Sequence, residues 1–271
     1  MDYRSLENAV DWERILSVLL WFRRHPRSGL YLRQLDIVGV DTKFIENRKT
    51  LLSELLDIVL PADAVESTAL GQRNFDTRYG LAPKHPQIRF RILDERLSMQ
   101  GLTDLAVPAP EFAPLTIPVR RVFITENEIN GLAFPALPES LVIFGLGYGL
   151  ERLSEVRWLQ ERAVYYWGDI DTHGFRILDR LRSIFSTARS LLMDRNTLLE
   201  HFQLWVREDS PFNGDLERLT ATERALYDDL RHNRLGDQIR LDRNAFGMGG
   251  SNVNSVGLWK TGVRSGHSGQ F

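Results

Sequence analysis

The chain has 271 residues, 43% of them hydrophobic and 26% charged, with no cysteine and a formal net charge of -2. That is enough length for two modest domains or one large one. It excludes disulfides, thiolate metal sites and a broadly basic surface, and the lack of cysteine fits a reducing, cytoplasmic setting. No apolar run approaches the roughly 20 residues needed to cross a bilayer. The start, Met1-Asp2-Tyr3-Arg4, lacks the basic-then-apolar layout of a signal peptide. Thirty arginines stand against four lysines. Arginine suits bidentate phosphate contacts, although genomic base composition produces the same bias.

Residues 12–24 read as a helix, with Ile15, Leu16, Leu19, Leu20 and Phe22 in an apolar stripe. Pro26, Ser28 and Gly29 end it, and Leu30-Tyr31-Leu32 reads as a short strand or a helix start. Asp41 or Thr42 can cap a helix over 42–59, where Phe44, Ile45, Leu51, Leu52, Leu55, Leu56 and Val59 recur at helical spacing. This pattern suggests a small helix-turn-helix or winged-helix unit, and an ordinary helical pair has the same pattern. Arg89-Phe90-Arg91-Ile92-Leu93 alternates as a strand does. Pro108, Pro110, Pro114 and Pro118 predict a linker over 106–118.

From 119 the rhythm becomes strand, helix, strand, helix. Strands are expected at 119–126, 140–145, 163–169 and 189–193, and helices at 150–161, 172–186, 195–206 and 220–234. Near-continuous apolar strands alternating with helices predict an α/β fold with a parallel sheet covered on both faces. Right-handed crossovers then bring the strand C-termini to one edge, where ligand chemistry sits in open α/β sheets. Residues 243–271 hold seven glycines and four serines, with no acid after Asp242, which predicts a disordered tail.

Asp169-Ile170-Asp171 follows the apolar run Ala163-Val164-Tyr165-Tyr166-Trp167 and precedes Thr172-His173-Gly174. Glu126 ends the earlier strand Val119–Thr125 in the same way. Three acids at one sheet edge repel and raise each other's pKa. A divalent cation resolves that conflict, and hard oxygen ligands suit Mg2+ or Mn2+. Single aspartates at strand ends also serve as helix caps, as Asp171 or Thr172 could here. The chemistry such a site suggests is phosphoryl transfer. His173 is a candidate general acid or base, and a histidine at a helix start also serves in hydrogen bonding or packing. Gly145-Leu146-Gly147-Tyr148-Gly149 could cradle a phosphate, a nucleotide or a methyl donor, or could be a tight strand-to-helix turn. No nucleophile elbow and no HExxH helix occurs.

Several blocks together resemble a known family. Ile124-Thr125-Glu126-Asn127-Glu128-Ile129-Asn130, Val142-Ile143-Phe144-Gly145-Leu146-Gly147-Tyr148-Gly149 and Tyr165-Tyr166-Trp167-Gly168-Asp169-Ile170-Asp171-Thr172-His173-Gly174 are in the order found in JetD, the nuclease subunit of Wadjet anti-plasmid defence systems. Leu192-Met193-Asp194-Arg195 and Leu219-Thr220-Ala221-Thr222-Glu223 fit as well, and residues 35–46 resemble the family's winged-helix-containing N-terminal region.

The resemblance implies a Toprim-like domain, related to that of topoisomerase VI, over residues 112–242. A winged-helix-like region would occupy residues 1–111 and a tail residues 243–271. It implies a metal-dependent endonuclease that cuts double-stranded plasmid DNA with condensin-like Jet subunits, as a homodimer and away from any membrane. By motif match, Glu126, Asp169 and Asp171 take the metal positions, for Mg2+ or Mn2+. The arginine-leucine-tyrosine-tyrosine motif of tyrosine-using topoisomerase relatives is missing, and Tyr31 stands alone, so hydrolysis fits better than a tyrosyl-DNA intermediate. The family's arginine-leucine-glutamate-glutamine-glutamate run reads Arg240-Leu241-Asp242-Arg243-Asn244 here. That departure, and a front shorter than the family's, keep open a non-catalytic DNA-binding or scaffold protein with a vestigial Toprim-like domain.

Overall fold

Strands β3 (Arg121–Thr125) and β4 (Ser140–Phe144) are almost wholly buried, as unbroken apolar runs require when both faces of a sheet are covered. They lie inside a six-stranded sheet in the order β2-β1-β4-β3-β5-β6. The other strands are β1 (Gln87–Ile92), β2 (Asp104–Pro108), β5 (Ala163–Trp167) and β6 (Arg189–Ser190). β4, β3, β5 and β6 run parallel. β1 and β2 complete one side as antiparallel strands, so the sheet is mixed. The computed structural model describes residues 11–144 and 147–242. The predicted tail and Gly145-Leu146 of the glycine-rich turn lie outside the described residues.

The strand period of two sorts the core into two layers. Val122, Ile124, Leu141, Ile143, Val164 and Tyr166 face one layer. There they meet Ile177, Leu178 and Leu181 of α7 (Thr172–Ile184) and Leu226, Tyr227 and Leu230 of α9 (Ala221–Arg231). Phe123, Val142, Phe144 and Trp167 face the other layer, with Leu132 at the end of α6 (Glu128–Leu132) and Phe134 just past it.

The chain divides into compact units between His85 and Pro86, earlier than the boundary expected at 111/112, because β1 and β2 pair into the sheet. The N-terminal unit holds α1 (Trp12–Arg24), α2 (Thr42–Asn47), α3 (Lys49–Val59) and α4 (Phe75–Arg78). Its core is built from Ile15, Val18, Phe22, Leu52, Leu56, Phe75 and Tyr79. Asp41 caps α2 by accepting from the Phe44 backbone N–H at 2.7 Å. The single helix expected over 42–59 breaks at Arg48, whose guanidinium lies 4.3 Å from the Phe44 ring and pairs with Asp11. Among the described residues of this unit there is no strand, and a winged helix needs a strand pair for its wing.

Several elements differ from the sequence reading. The helix expected at 150–161 is two 3-10 stretches, Gly147–Leu153 and Arg157–Glu161. Buried Leu150, Leu153, Val156 and Leu159 recur every third residue, the period of a 3-10 helix. The strand expected at 189–193 is two residues long. The linker expected at 106–118 contains the end of β2 and a short helix, α5 (Ala109–Phe112), whose Phe112 is fully buried. The helix expected at 195–206 is α8 (Arg195–Glu200), a 3-10 turn, and then β7 (Trp205–Arg207). β7 pairs antiparallel with β8 (Ile239–Leu241), which the sequence reading did not find.

Candidate functional site

The register aligns Thr125 with Trp167, so Glu126 and Gly168 leave β3 and β5 at the same level of the carboxyl edge. Strand parity sends Glu126 to the side of Ile124 and Tyr166. The Tyr166 hydroxyl donates to Glu126 Oε2 at 3.3 Å. A Cβ at Gly168 would run into that tyrosine hydroxyl, so glycine is what lets the loop pass close. Asp171 is buried and caps α7, its Oδ1 accepting from the Gly174 backbone N–H at 2.6 Å. A Cβ at Gly174 would meet the Asp169 carbonyl oxygen. Asp171 is therefore both a cap and a member of the acidic edge.

The three acids are electrostatically joined. Burial, and then the charges of Asp169 and Asp171, push Glu126 up to about 7, against the pull of Tyr166 and Arg240. Burial is also the main cause raising Asp171, with Glu208 adding to it. The Gly174 N–H, Arg240 and His173 pull the other way. The Tyr166 phenol, wholly enclosed and facing the same acids, is raised well above its ordinary value.

His173 sits on the first turn of α7, close enough for its charge to be felt at Asp171. Its Nε2 donates to the Ser210 carbonyl at 2.8 Å, since a carbonyl can only accept. That bond points the Nε2 edge of the ring at the 208–212 loop. The same loop carries Glu208, a buried acid that sequence reasoning missed. Glu208 accepts from the Thr172 hydroxyl at 2.6 Å and from the Thr172 backbone N–H at 3.3 Å. Within Arg207-Glu208-Asp209 it reads as an ordinary polar loop residue, and no local pattern marks it.

Arg240 was met in the sequence only within a run that departs from the family's, and not as a residue of the site. Leu241 exchanges two 3.1 Å backbone hydrogen bonds with Ile170, which lays β8 against the loop between the two aspartates. Arg240 Nη2 then lies 2.7 Å from Asp169 and 3.3 Å from Asp242, and its Nε lies 3.4 Å from Asp171. Burial opposes the charge of Arg240, but Asp171, Asp169, Asp242 and Glu208 outweigh it and raise its pKa.

Three oxygen-donor side chains with an excess of negative charge are chemically suited to a hard divalent cation. Among the described residues, however, no three His, Asp or Glu side chains stand close enough together to grip an ion as placed. The positive charge at the centre of the cluster is the Arg240 guanidinium.

The fold and this edge define an α/β protein whose carboxylates gather at the C-terminal ends of parallel strands. The family described as Wadjet protein JetD, C-terminal, matches residues 80–251, more than half of the chain, and the chain belongs to that family. Residues 3–57 match a family described as an uncharacterized protein conserved in bacteria, N-terminal part. No curated protein matches the sequence. Among the described residues no helix is long and apolar enough to cross a membrane.

Proposed function

We propose that this chain is a metal-dependent DNA endonuclease subunit of a prokaryotic anti-plasmid defence system. In this reading it hydrolyses phosphodiesters of double-stranded plasmid DNA. The observation that carries it is the placing of Glu126, Asp169 and Asp171 at one sheet edge, where burial first and then the charges of the two aspartates push Glu126 up to about 7. Membership of the JetD family supplies the Wadjet context, and the mostly parallel sheet is compatible with a Toprim-like domain.

Glu126, Asp169 and Asp171 would hold Mg2+ or Mn2+. Such an ion supplies Lewis acidity and a nucleophilic water at neutral pH. The chain's own residues set the frame. Tyr166 orients Glu126 through its hydroxyl, and the Gly174 N–H fixes the Asp171 carboxylate. Glu208 fixes Thr172 at the start of α7. His173 moves a proton beside the site once its bond to Ser210 opens. The partners in this reading are condensin-like Jet subunits and a second copy of the chain, in the cytoplasm, with the helical N-terminal unit contributing to DNA binding.

The test is supercoiled-plasmid cleavage with Mg2+ or Mn2+, with and without Jet subunits, comparing wild type and Asp169→Ala. Cutting should require the cation, and the variant should lose at least about 100-fold in rate. Equal cutting by the two proteins overturns the assignment. The guanidinium at the centre of the acids favours a second reading, a non-catalytic DNA-binding scaffold. That protein would bind DNA in a salt-dependent way with no metal dependence.

A further inference from the structure

We propose that Arg240 is an internal counter-ion which occupies the carboxylate cluster when no metal is present and has to leave it for a divalent cation to bind. The inference rests on the metal reading of Glu126, Asp169 and Asp171 and adds a gate to it.

The geometry is that of a plug. One guanidinium faces three carboxylates, Asp169 at 2.7 Å, Asp242 at 3.3 Å and Asp171 at 3.4 Å. Two of the three are proposed metal ligands. The backbone holds the plug in register, because Leu241 next to it is fully buried and doubly hydrogen-bonded to Ile170, midway between the two aspartates. Nη2 donates to Asp169 and Asp242, and Nε is left over. That Nε is buried and makes no hydrogen bond, and its approach to Asp171 is an ion-pair distance only. A group that exchanges with another cation needs only the charge match, and 28% of the Arg240 side chain remains exposed as a route out. A guanidinium and a divalent ion a few angstroms apart repel strongly in a partly buried site, so the two exclude each other.

The probe is Mn2+ alone, its free fraction followed by electron paramagnetic resonance, with the full chain as wild type, Arg240→Gln, Arg240→Lys and Asp169→Asn. Arg240→Gln should bind Mn2+ at least about tenfold more tightly than wild type. Arg240→Lys, which keeps the charge, should stay near wild type, and Asp169→Asn should lose binding. Arg240→Met, which keeps the aliphatic stem, takes the place of the glutamine variant if that one unfolds by circular dichroism. Equal affinity in wild type and the neutral variants overturns the plug while leaving the metal reading standing. Weaker binding in the neutral variants also overturns it, because Arg240 would then be organising the acids for the ion. No binding in any folded variant removes the plug and the metal reading together.

Discussion

Two arginine–carboxylate sites lie in the same α/β unit and are built to opposite rules. Arg182 and Glu223 are one charge against one, both nearly enclosed, at 8% and 7% side-chain exposure. Arg182 forks onto Glu223 at 2.6 and 3.0 Å and gives two further donors to the carbonyls of Ala188 and Arg218. Glu223 also accepts from Ser190 and from the Thr220 backbone N–H, closing a capping box at the start of α9. Burial alone would raise its pKa, but Arg182, Ser190 and Thr220 outweigh that and bring it down to about 2. Arg240 is one charge among several acids, with an unbonded Nε and with Glu126 and Asp171 raised. The first site is finished as framework. The second keeps a surplus of negative charge, on which the proposed cation site rests.

The largest effect should come from breaking the finished site. Arg182→Ala leaves a buried carboxylate without its partner and should cost about 3–5 kcal/mol in urea unfolding. A midpoint within experimental error of wild type would remove Arg182–Glu223 from the framework. Gly174→Ala comes next. Its Cβ meets the Asp169 carbonyl, so a loss of about 1–3 kcal/mol is expected in thermal melting. An unchanged melting temperature would mean the loop between the acids yields easily.

The smallest effect has a sign that depends on pH. The raised pKa of Glu126 contributes stability that is full below its ordinary value near 4.5 and is lost as pH climbs through about 7. Glu126→Gln should therefore gain about 1 kcal/mol at pH 8 and nothing at pH 4. The lowered pKa of Glu223 works in reverse, present above about 4.5 and lost as acid approaches about 2. Glu223→Gln should thus be destabilising at pH 7 and nearly silent at pH 2. Identical pH profiles for the two glutamine variants, read from urea midpoints, would erase the distinction between the sites.

Much of this unit was legible in the chain. β3, β4 and β5 carry unbroken apolar runs, and the acids after β3 and β5 stand out because three of them gather at one sheet edge. α1 and α9 are amphipathic over three turns; α1 has the expected bounds, and α9 ends three residues before the 234 expected. The misses have physical causes. β7 and β8 are three residues each, too short for a period of two to declare itself, and hold by pairing with each other. The three-residue spacing of Leu150, Leu153, Val156 and Leu159 is close enough to helical spacing to be mistaken for it.

What the sequence determined alone is the parallel core and the carboxyl edge, because burial on two faces and strand parity are local properties of the chain. Burial and parity brought Glu126, Asp169 and Asp171 to that edge. What only the tertiary structure decided is the company they keep. Arg240 lies 71 residues beyond Asp169 and reaches it through a two-bond bridge between Ile170 and Leu241. Glu208 reaches Thr172 across 36 residues. Contacts made by pairing distant backbone leave no periodicity to read, so the balance of charge at the site is a property of the fold.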